Sequence, residues 1–141
     1  MFSIRVLLGL FIVFCLGLFS TAEARRIALI IGNSDYEFAP KLLNPENDAR
    51  DLSQAFKDLG YQVQLVEDAD RTTLLDTLRQ FRSDSFGAEQ SIIYYAGHGV
   101  EIGRENYLLP VDAQLKSDID VEYEGISLEL LTRATSGAQG L

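Results

Sequence analysis

One histidine stands in this 141-residue chain, and it lies between two glycines at the end of an apolar run, Ser91-Ile92-Ile93-Tyr94-Tyr95-Ala96-Gly97-His98-Gly99. An imidazole titrates near neutrality, so it can take a proton and return it. The run from Ile92 to Ala96 reads as a strand buried on both faces. In open parallel sheets chemistry lies beyond the carboxyl ends of the strands, and that is where this arrangement puts His98. Gly97 and Gly99 are expected to let the backbone turn sharply and to leave the ring uncovered. Gly99 also offers a backbone N–H free to face a developing oxyanion. A histidine base beside such an N–H is half of an acyl-transfer site, and the missing half is a nucleophile. No serine stands in a Gly-x-Ser-x-Gly elbow. A histidine that only hydrogen-bonds locally is the alternative.

Other chemistries find less support. The only cysteine is Cys15, and with one histidine a zinc site is not expected. Gly32 to Asp35 matches neither the dinucleotide fingerprint nor the phosphate-binding loop pattern. The net charge is −9, which disfavours nucleic acid or an anionic membrane surface as partner, since both call for a basic patch. It suits a cationic substrate.

Three strands and two helices would position His98. Ile27 to Ile31 is a continuous apolar run and predicts a central strand. A loop with Asn33, Ser34, Asp35 and Pro40 follows. A helix then starts with Asn44 as N-cap, Pro45 at the first helical position, and Glu46 and Asp48 in the first turn. Its stripe is Leu52, Ala55, Phe56 and Leu59, and Gly60 ends it. Tyr61, Val63 and Leu65 alternate with glutamines as a second strand. Asp70 caps a second helix with stripe Leu74, Leu78 and Phe81, and Gly87 follows it. This order calls for a parallel sheet. After His98, Val100 to Ile102 and Tyr107 to Leu109 predict a hairpin across residues 103–106. Asp118, Asp120, Glu122 and Glu124 alternate with Ile119, Val121 and Tyr123, which reads as an extended stretch with an acidic face. Ser127 caps a last helix through Leu128, Leu130 and Leu131.

The amino terminus reads as a secretory signal peptide over residues 1–24. Arg5 gives the positive region, Val6 to Phe19 the apolar core, and Ala22-Glu23-Ala24 the small-x-small cleavage site. The expected product begins near Arg25, is exported to a periplasmic or extracellular space, holds no cysteine and leaves no membrane anchor. An uncleaved anchor is the alternative.

The motifs Ile27-Ala28-Leu29-Ile30-Ile31-Gly32-Asn33, Pro40, Asn47-Asp48-Ala49, Leu52 and Tyr94-Tyr95-Ala96-Gly97-His98-Gly99, in this order, resemble the first part of a caspase-like catalytic domain. The resemblance is closest to bacterial caspase-like proteins and metacaspases, and it runs from Arg26 to about Leu131. It implies an α/β fold: a caspase-like three-layer sandwich, a mainly parallel sheet between helices, incomplete at the C-terminal side, over residues 25–141. It implies a cysteine-type endopeptidase in which His98 activates a thiolate and Gly99 N–H belongs to the oxyanion hole. The family's cysteine follows the histidine by about 50 residues, so the chain is expected to be a truncated portion lacking the nucleophile. Caspases hold an acidic P1 side chain with an arginine just after the loop proline, whereas Lys41 and Leu42 follow Pro40 here. Metacaspase-like enzymes prefer a basic P1, and Asp48 matches the acid that contributes to that pocket. Dipole complementation in the first helical turn is the other reading of Asp48.

The acids Asp112, Asp118, Asp120, Glu122 and Glu124 are similar to calcium-binding loops of some metacaspases, but their strict alternation fits a solvated face better, so no cofactor is assigned. A protein or peptide substrate is the expected partner. Self-association through an exposed sheet edge is a second expectation, since the His98 strand would lack a neighbour. Against the peptidase stand a caspase-like binding or regulatory module without catalysis, and an unrelated doubly wound domain. A hairpin directly after His98 would speak against the doubly wound domain.

Overall fold

The computed structural model describes residues 24–139, so the signal segment and Cys15 lie outside the described residues. The hydrophobic runs decide the layers. Strand β1 (Arg26–Gly32) is the most apolar segment, and it takes the centre of a three-stranded parallel sheet between β2 (Gln62–Glu67) and β3 (Gln90–Ala96). Its alternate side chains fill two separate cores. Ile27, Leu29 and Ile31 pack against Leu74, Leu78 and Phe81 of α2 (Arg71–Ser85) and against Leu131 and Ala134 of α4 (Leu128–Thr135). Ala28 and Ile30 face Ala49, Leu52 and Phe56 of α1 (Pro45–Asp58). Leu29, Ile30 and Ile31 are fully buried, each worth about 1.5–3 kcal/mol as removed apolar surface. The architecture is thus an α/β layered sandwich with an open sheet, one helix on one face and two on the other.

Register brings the three strand ends level. Gly32 lies beside Glu67 on one side and Ala96 on the other, so the loops that open at Asn33, Asp68 and Gly97 leave the sheet at one place. Gly32 has to be glycine there. A Cβ would come within 2.6 Å of the Pro45 carbonyl oxygen and 2.7 Å of Ala49 Cβ, and this close approach seats the start of α1 on the sheet.

A second, antiparallel sheet follows in the order β4 (Gly99–Ile102), β5 (Glu105–Leu108), β6 (Ile126–Ser127). Its hairpin turns on two residues, Gly103 and Arg104, both at positive φ (59° and 74°), as the tight primed turns require. The turn is therefore two residues shorter than the sequence suggests.

Three further expectations need correction. The strand from Ile92 to Ala96 packs on both faces but is only half-buried, because β3 is an edge and β1 has the centre. Asn44 occupies the N-cap position of α1 but its side chain makes no cap bond; Ser34 Oγ accepts from Glu46 N–H instead, at 3.3 Å. The stretch from Asp118 to Glu124 is a helix, α3, not an extended segment. There the Asp120 carboxylate accepts from the Ser117 N–H (2.7 Å) and hydroxyl (2.9 Å), a local start that outweighs the two-residue alternation. Ile119 and Tyr123 point to solvent and only Val121 is buried. The other boundaries follow the sequence: Asp70 accepts from Thr73 N–H at 2.7 Å, and Ser127 from Leu130 N–H at 3.3 Å. Among the described residues no helix is long and apolar enough to cross a membrane.

The outer hydrogen-bonding edge of β3 has no neighbour among the described strands, and its residues Ile92 to Tyr95 are only half-buried; such an apolar edge recruits other strands. We expect this chain, expressed alone, to self-associate as concentration rises, seen as a growing weight-average mass in light scattering. A monomer at high concentration would contradict that.

Candidate active site

His98 follows β3 by one residue and precedes β4 directly. Its Nε2 lies 2.7 Å from the Pro40 carbonyl oxygen. A carbonyl can only accept, so Nε2 carries a proton and donates, and in the neutral ring the lone pair is then on Nδ1. The Tyr36 ring lies against the imidazole, centroid to centroid 4.6 Å at an interplanar angle of 57°. The ring therefore has one face covered and one nitrogen fixed, which is more support than the flanking glycines alone suggested.

The backbone of His98 is held on both sides by tyrosine hydroxyls. Tyr36 Oη accepts from His98 N–H at 2.7 Å. Tyr95 Oη lies 2.8 Å from the His98 carbonyl oxygen and 2.9 Å from the Leu109 carbonyl oxygen, and donates its one proton to one of them. The two hydroxyls are 3.0 Å apart. Leu109 N–H closes the ring by donating to the His98 carbonyl at 3.0 Å. Buried Asn33 joins the same cluster: its Nδ2 donates to the Leu109 carbonyl at 3.2 Å, while its Oδ1 accepts from Ala69 N–H at 3.0 Å. Burial raises the pKa of Tyr36, and burial followed by the Tyr36 hydroxyl raises that of Tyr95, so both remain neutral phenols able to donate.

These hydroxyls explain Gly97. Its φ is not in the left-handed region, so turning is not its purpose. A Cβ there would lie 2.5 Å from each tyrosine oxygen; the missing side chain makes room for the pair. Gly99 likewise has no positive φ and is exposed. The bond from Leu109 N–H to the His98 carbonyl makes His98 and Leu109 a hydrogen-bonded pair, and such pairs alternate along an antiparallel ladder. Gly99, opposite Leu108, is therefore a non-bonded pair. Its N–H points away from β5.

The loop that brings Pro40 to His98 is tied down by Asp68, which follows β2 at φ 46°. Its Oδ1 accepts from Ser34 N–H at 2.7 Å and Asp35 N–H at 2.8 Å. Partial burial works to raise the Asp68 pKa. The N–H groups of Asp35 and Ser34, with the Glu46 carboxyl, outweigh it and hold the group below its ordinary value. Glu46 is displaced upward, first by its hydrogen bond with Asp68. Lys41 pairs with Asp35 on the same loop.

Asp48 lies on the exposed side of the first turn of α1, next to the Ala49 that packs on Gly32. Among the described residues its carboxylate makes no hydrogen bond or ion pair. The structure thus joins His98 and Gly99 directly, while no hydrogen bond or ion pair among the described residues links Asp48 to the tyrosine cluster. The acids noted at the carboxyl end serve the backbone: Asp112 accepts from Arg71 N–H, Glu124 from Gln114 and Leu115 N–H, and Asp120 from Ser117. Sequence reasoning missed Tyr36 and Asp68, and named Asn33 and Tyr95 only as motif residues without a role in the site. Tyr36 and Asn33 stand just past the most buried strand, in a loop where a large side chain and an amide need a structural reason; that was the available signal.

The caspase domain family matches residues 25–132. Human mucosa-associated lymphoid tissue lymphoma translocation protein 1 is 31% identical over 88 residues, covering 62% of this chain and 11% of that protein. Caspase-1 of Sus scrofa is 29% identical over 80 residues, covering 55% of this chain and 20% of that protein. The chain thus spans about a tenth to a fifth of the curated relatives it matches. The solved structure of protein GSU0716 from Geobacter sulfurreducens superposes with a TM-score of 0.63 at 18% identity, covering 82% of this chain and 48% of that one; it speaks for the fold.

Tyr36→Phe leaves the His98 N–H buried without an acceptor. It should cost about 1–3 kcal/mol by urea denaturation, and an unchanged midpoint would refute the clamp. Asp68→Ala should narrow the stability gap to wild type only in acid. A carboxylate with a depressed folded pKa contributes above its unfolded value, near 3.8, and that contribution is lost as pH falls through the folded value. A pH-independent gap down to pH 2 would contradict the anchoring role.

Proposed function

The chain belongs to the caspase domain family, and on that premise we propose that it forms the histidine-bearing part of a cysteine-type endopeptidase, of the bacterial caspase-like and metacaspase type. The observation that carries this is the 2.7 Å approach of His98 Nε2 to the Pro40 carbonyl oxygen, an atom that can only accept. With Nε2–H donated to the Pro40 carbonyl, Nδ1 is the basic atom. It takes the proton of a thiol, the thiolate attacks the scissile carbonyl carbon, and the imidazolium passes the proton to the departing amine. Gly99 N–H points away from its own sheet and donates to the oxygen on which charge develops. Tyr36 and Tyr95 hold the peptide units that carry both groups, so base and donor move as one unit.

Residues 24–139 contain no cysteine, so the reading requires a thiol that they do not supply. Substrate preference is for Arg or Lys at P1. Asp48 supports it as an exposed carboxylate with no ion-pair partner among the described residues, and so does a chain carrying net charge −9. Export through the amino-terminal signal completes the proposal and places the substrate outside the cytoplasm. The second reading is a caspase-like module that binds without cleaving.

The test is an assay of the protein as isolated from its own cells, using fluorogenic peptides with Arg, Lys or Asp at P1. Cleavage after Arg and Lys is expected. His98→Ala should abolish it with the circular dichroism spectrum unchanged, and Asp48→Asn should raise KM more than it lowers kcat. Unchanged turnover in His98→Ala would remove His98 from the mechanism. No cleavage of any peptide would leave the binding module.

A further inference from the structure

Two apolar surfaces with opposite charge around them remain outside the site. The first is a cavity of about 150 Å³ between α2 and α4. Leu75, Leu78 and Leu130 line it, and Arg79, Arg82 and Arg133 rim it. The second is the outer face of α3. Ile119 and Tyr123 are 58% and 68% exposed and, four residues apart, share one helix face. Asp118 and Glu122, also four apart and exposed, form the row beside them. Among the described residues neither acid makes a hydrogen bond or an ion pair, unlike Asp120 and Glu124, which hold backbone N–H groups. Arg82 has no ion pair among them either. Arg79 and Arg133 hold only exposed partners one turn away, Asp76 and Glu129. Such pairs contribute little, so both guanidiniums are free to turn to another carboxylate. An exposed apolar patch with a polar rim marks an interaction site.

We propose that α3 of one copy docks into the arginine-rimmed cavity of a second copy of this chain. The proposal stands apart from the peptidase reading. Shape and charge both select this occupant. An apolar cavity of this size holds a benzene ring, which is what Tyr123 presents, and Ile119 extends the apolar contact one turn back. The carboxylates of Asp118 and Glu122 then face the guanidiniums of the rim, where charge-assisted hydrogen bonds form. The chain carries net charge −9, so two copies repel in most orientations, and a basic surface meeting an acidic one selects a single orientation. Helix α3 is not free to fill the cavity of its own chain. Val121 is buried, and the Glu124 carboxylate ties the helix end to the N–H groups of Gln114 and Leu115. The two surfaces adjoin: Leu130 lines the cavity and also a neighbouring one, whose wall includes Glu122. A two-fold axis between copies therefore makes both contacts at once, each α3 in the other's cavity, and closes the pair. The contact is between helices and uses no residue of the β3 edge.

The experiment is a charge exchange on the full chain, read by sedimentation velocity and by energy transfer between copies carrying different dyes. One variant carries Arg82→Glu and Arg133→Glu, the other Asp118→Arg and Glu122→Arg. All four positions are exposed, and an unchanged circular dichroism spectrum checks the fold. Each variant alone should dimerise roughly tenfold or more weakly than wild type. An equal mixture should recover the wild-type affinity, because the acidic cavity of one variant meets the basic α3 of the other while the second contact stays as in wild type. Tyr123→Ser, which alters no charge, should also weaken dimerisation. Association unchanged in both charge variants would overturn the proposal and leave the β3 edge as the contact. Two weakened variants that fail to recover on mixing would overturn the pairing of α3 with the cavity. An unchanged constant for Tyr123→Ser would overturn the ring as its anchor, and a wild-type chain that stays monomeric would overturn the proposal outright.

Discussion

The Leu109 carbonyl oxygen is the point on which this site depends. Polar hydrogens converge on it from the loop after β1, through Asn33 and Tyr36 at 3.2 and 3.3 Å, and from β3, through the Tyr95 hydroxyl at 2.9 Å, whose one proton it shares with the His98 carbonyl. It belongs itself to the segment leaving the hairpin. Three pieces of chain far apart in sequence are thus fastened to one atom, beside the only histidine. Within a buried setting such bonds are electrostatically strong, and leaving one unmade is costly. The cluster therefore has one arrangement that satisfies it, and that arrangement sets the position of His98.

From this constraint the rest of the active end follows. Gly97 is small because two hydroxyls occupy the space its side chain would take. The bond between Leu109 and His98 sets the register of the hairpin, and the register aims the Gly99 amide outward. On the other side, Asp68 holds Ser34 and Asp35, so the loop reaches back with Pro40 to the imidazole. The sheet supplies the platform: β1, buried on both faces, levels the three strand ends from which these loops depart. Stability of the core and geometry of the site are linked through β1, since its last residue touches both neighbours and the start of α1.

Much of the platform is legible in the sequence, because it rests on local patterns. The apolar run of β1, the alternation of β2, the Asp70 and Ser127 caps and the stripes of α1 and α2 each reflect a periodicity or a capping rule within a few residues. His98 and Gly99 are legible as a strand-end motif, and the family resemblance with them. The tyrosine clamp is not: Tyr95 lies three residues from His98, but Tyr36 stands 59 residues from Tyr95, 62 from His98 and 73 from Leu109, and nothing local announces it. Burial of β3 misleads because an apolar run looks the same at a sheet centre and at an edge. The Asp118–Glu124 helix misleads because seven residues hold too few turns for a helical period to outvote a two-residue alternation, and its capping interaction decides instead.

The central claim is that the fold holds His98 as a base with its proton on Nε2 and its lone pair on Nδ1. Because the chain has one histidine, the ring nitrogens of ¹⁵N-labelled protein are assigned without ambiguity. The decisive measurement is their NMR spectrum at a pH where the ring is neutral. The account predicts a protonated-nitrogen shift and directly coupled proton at Nε2, and a lone-pair shift at Nδ1. A proton on Nδ1, or an average of both tautomers, would contradict it.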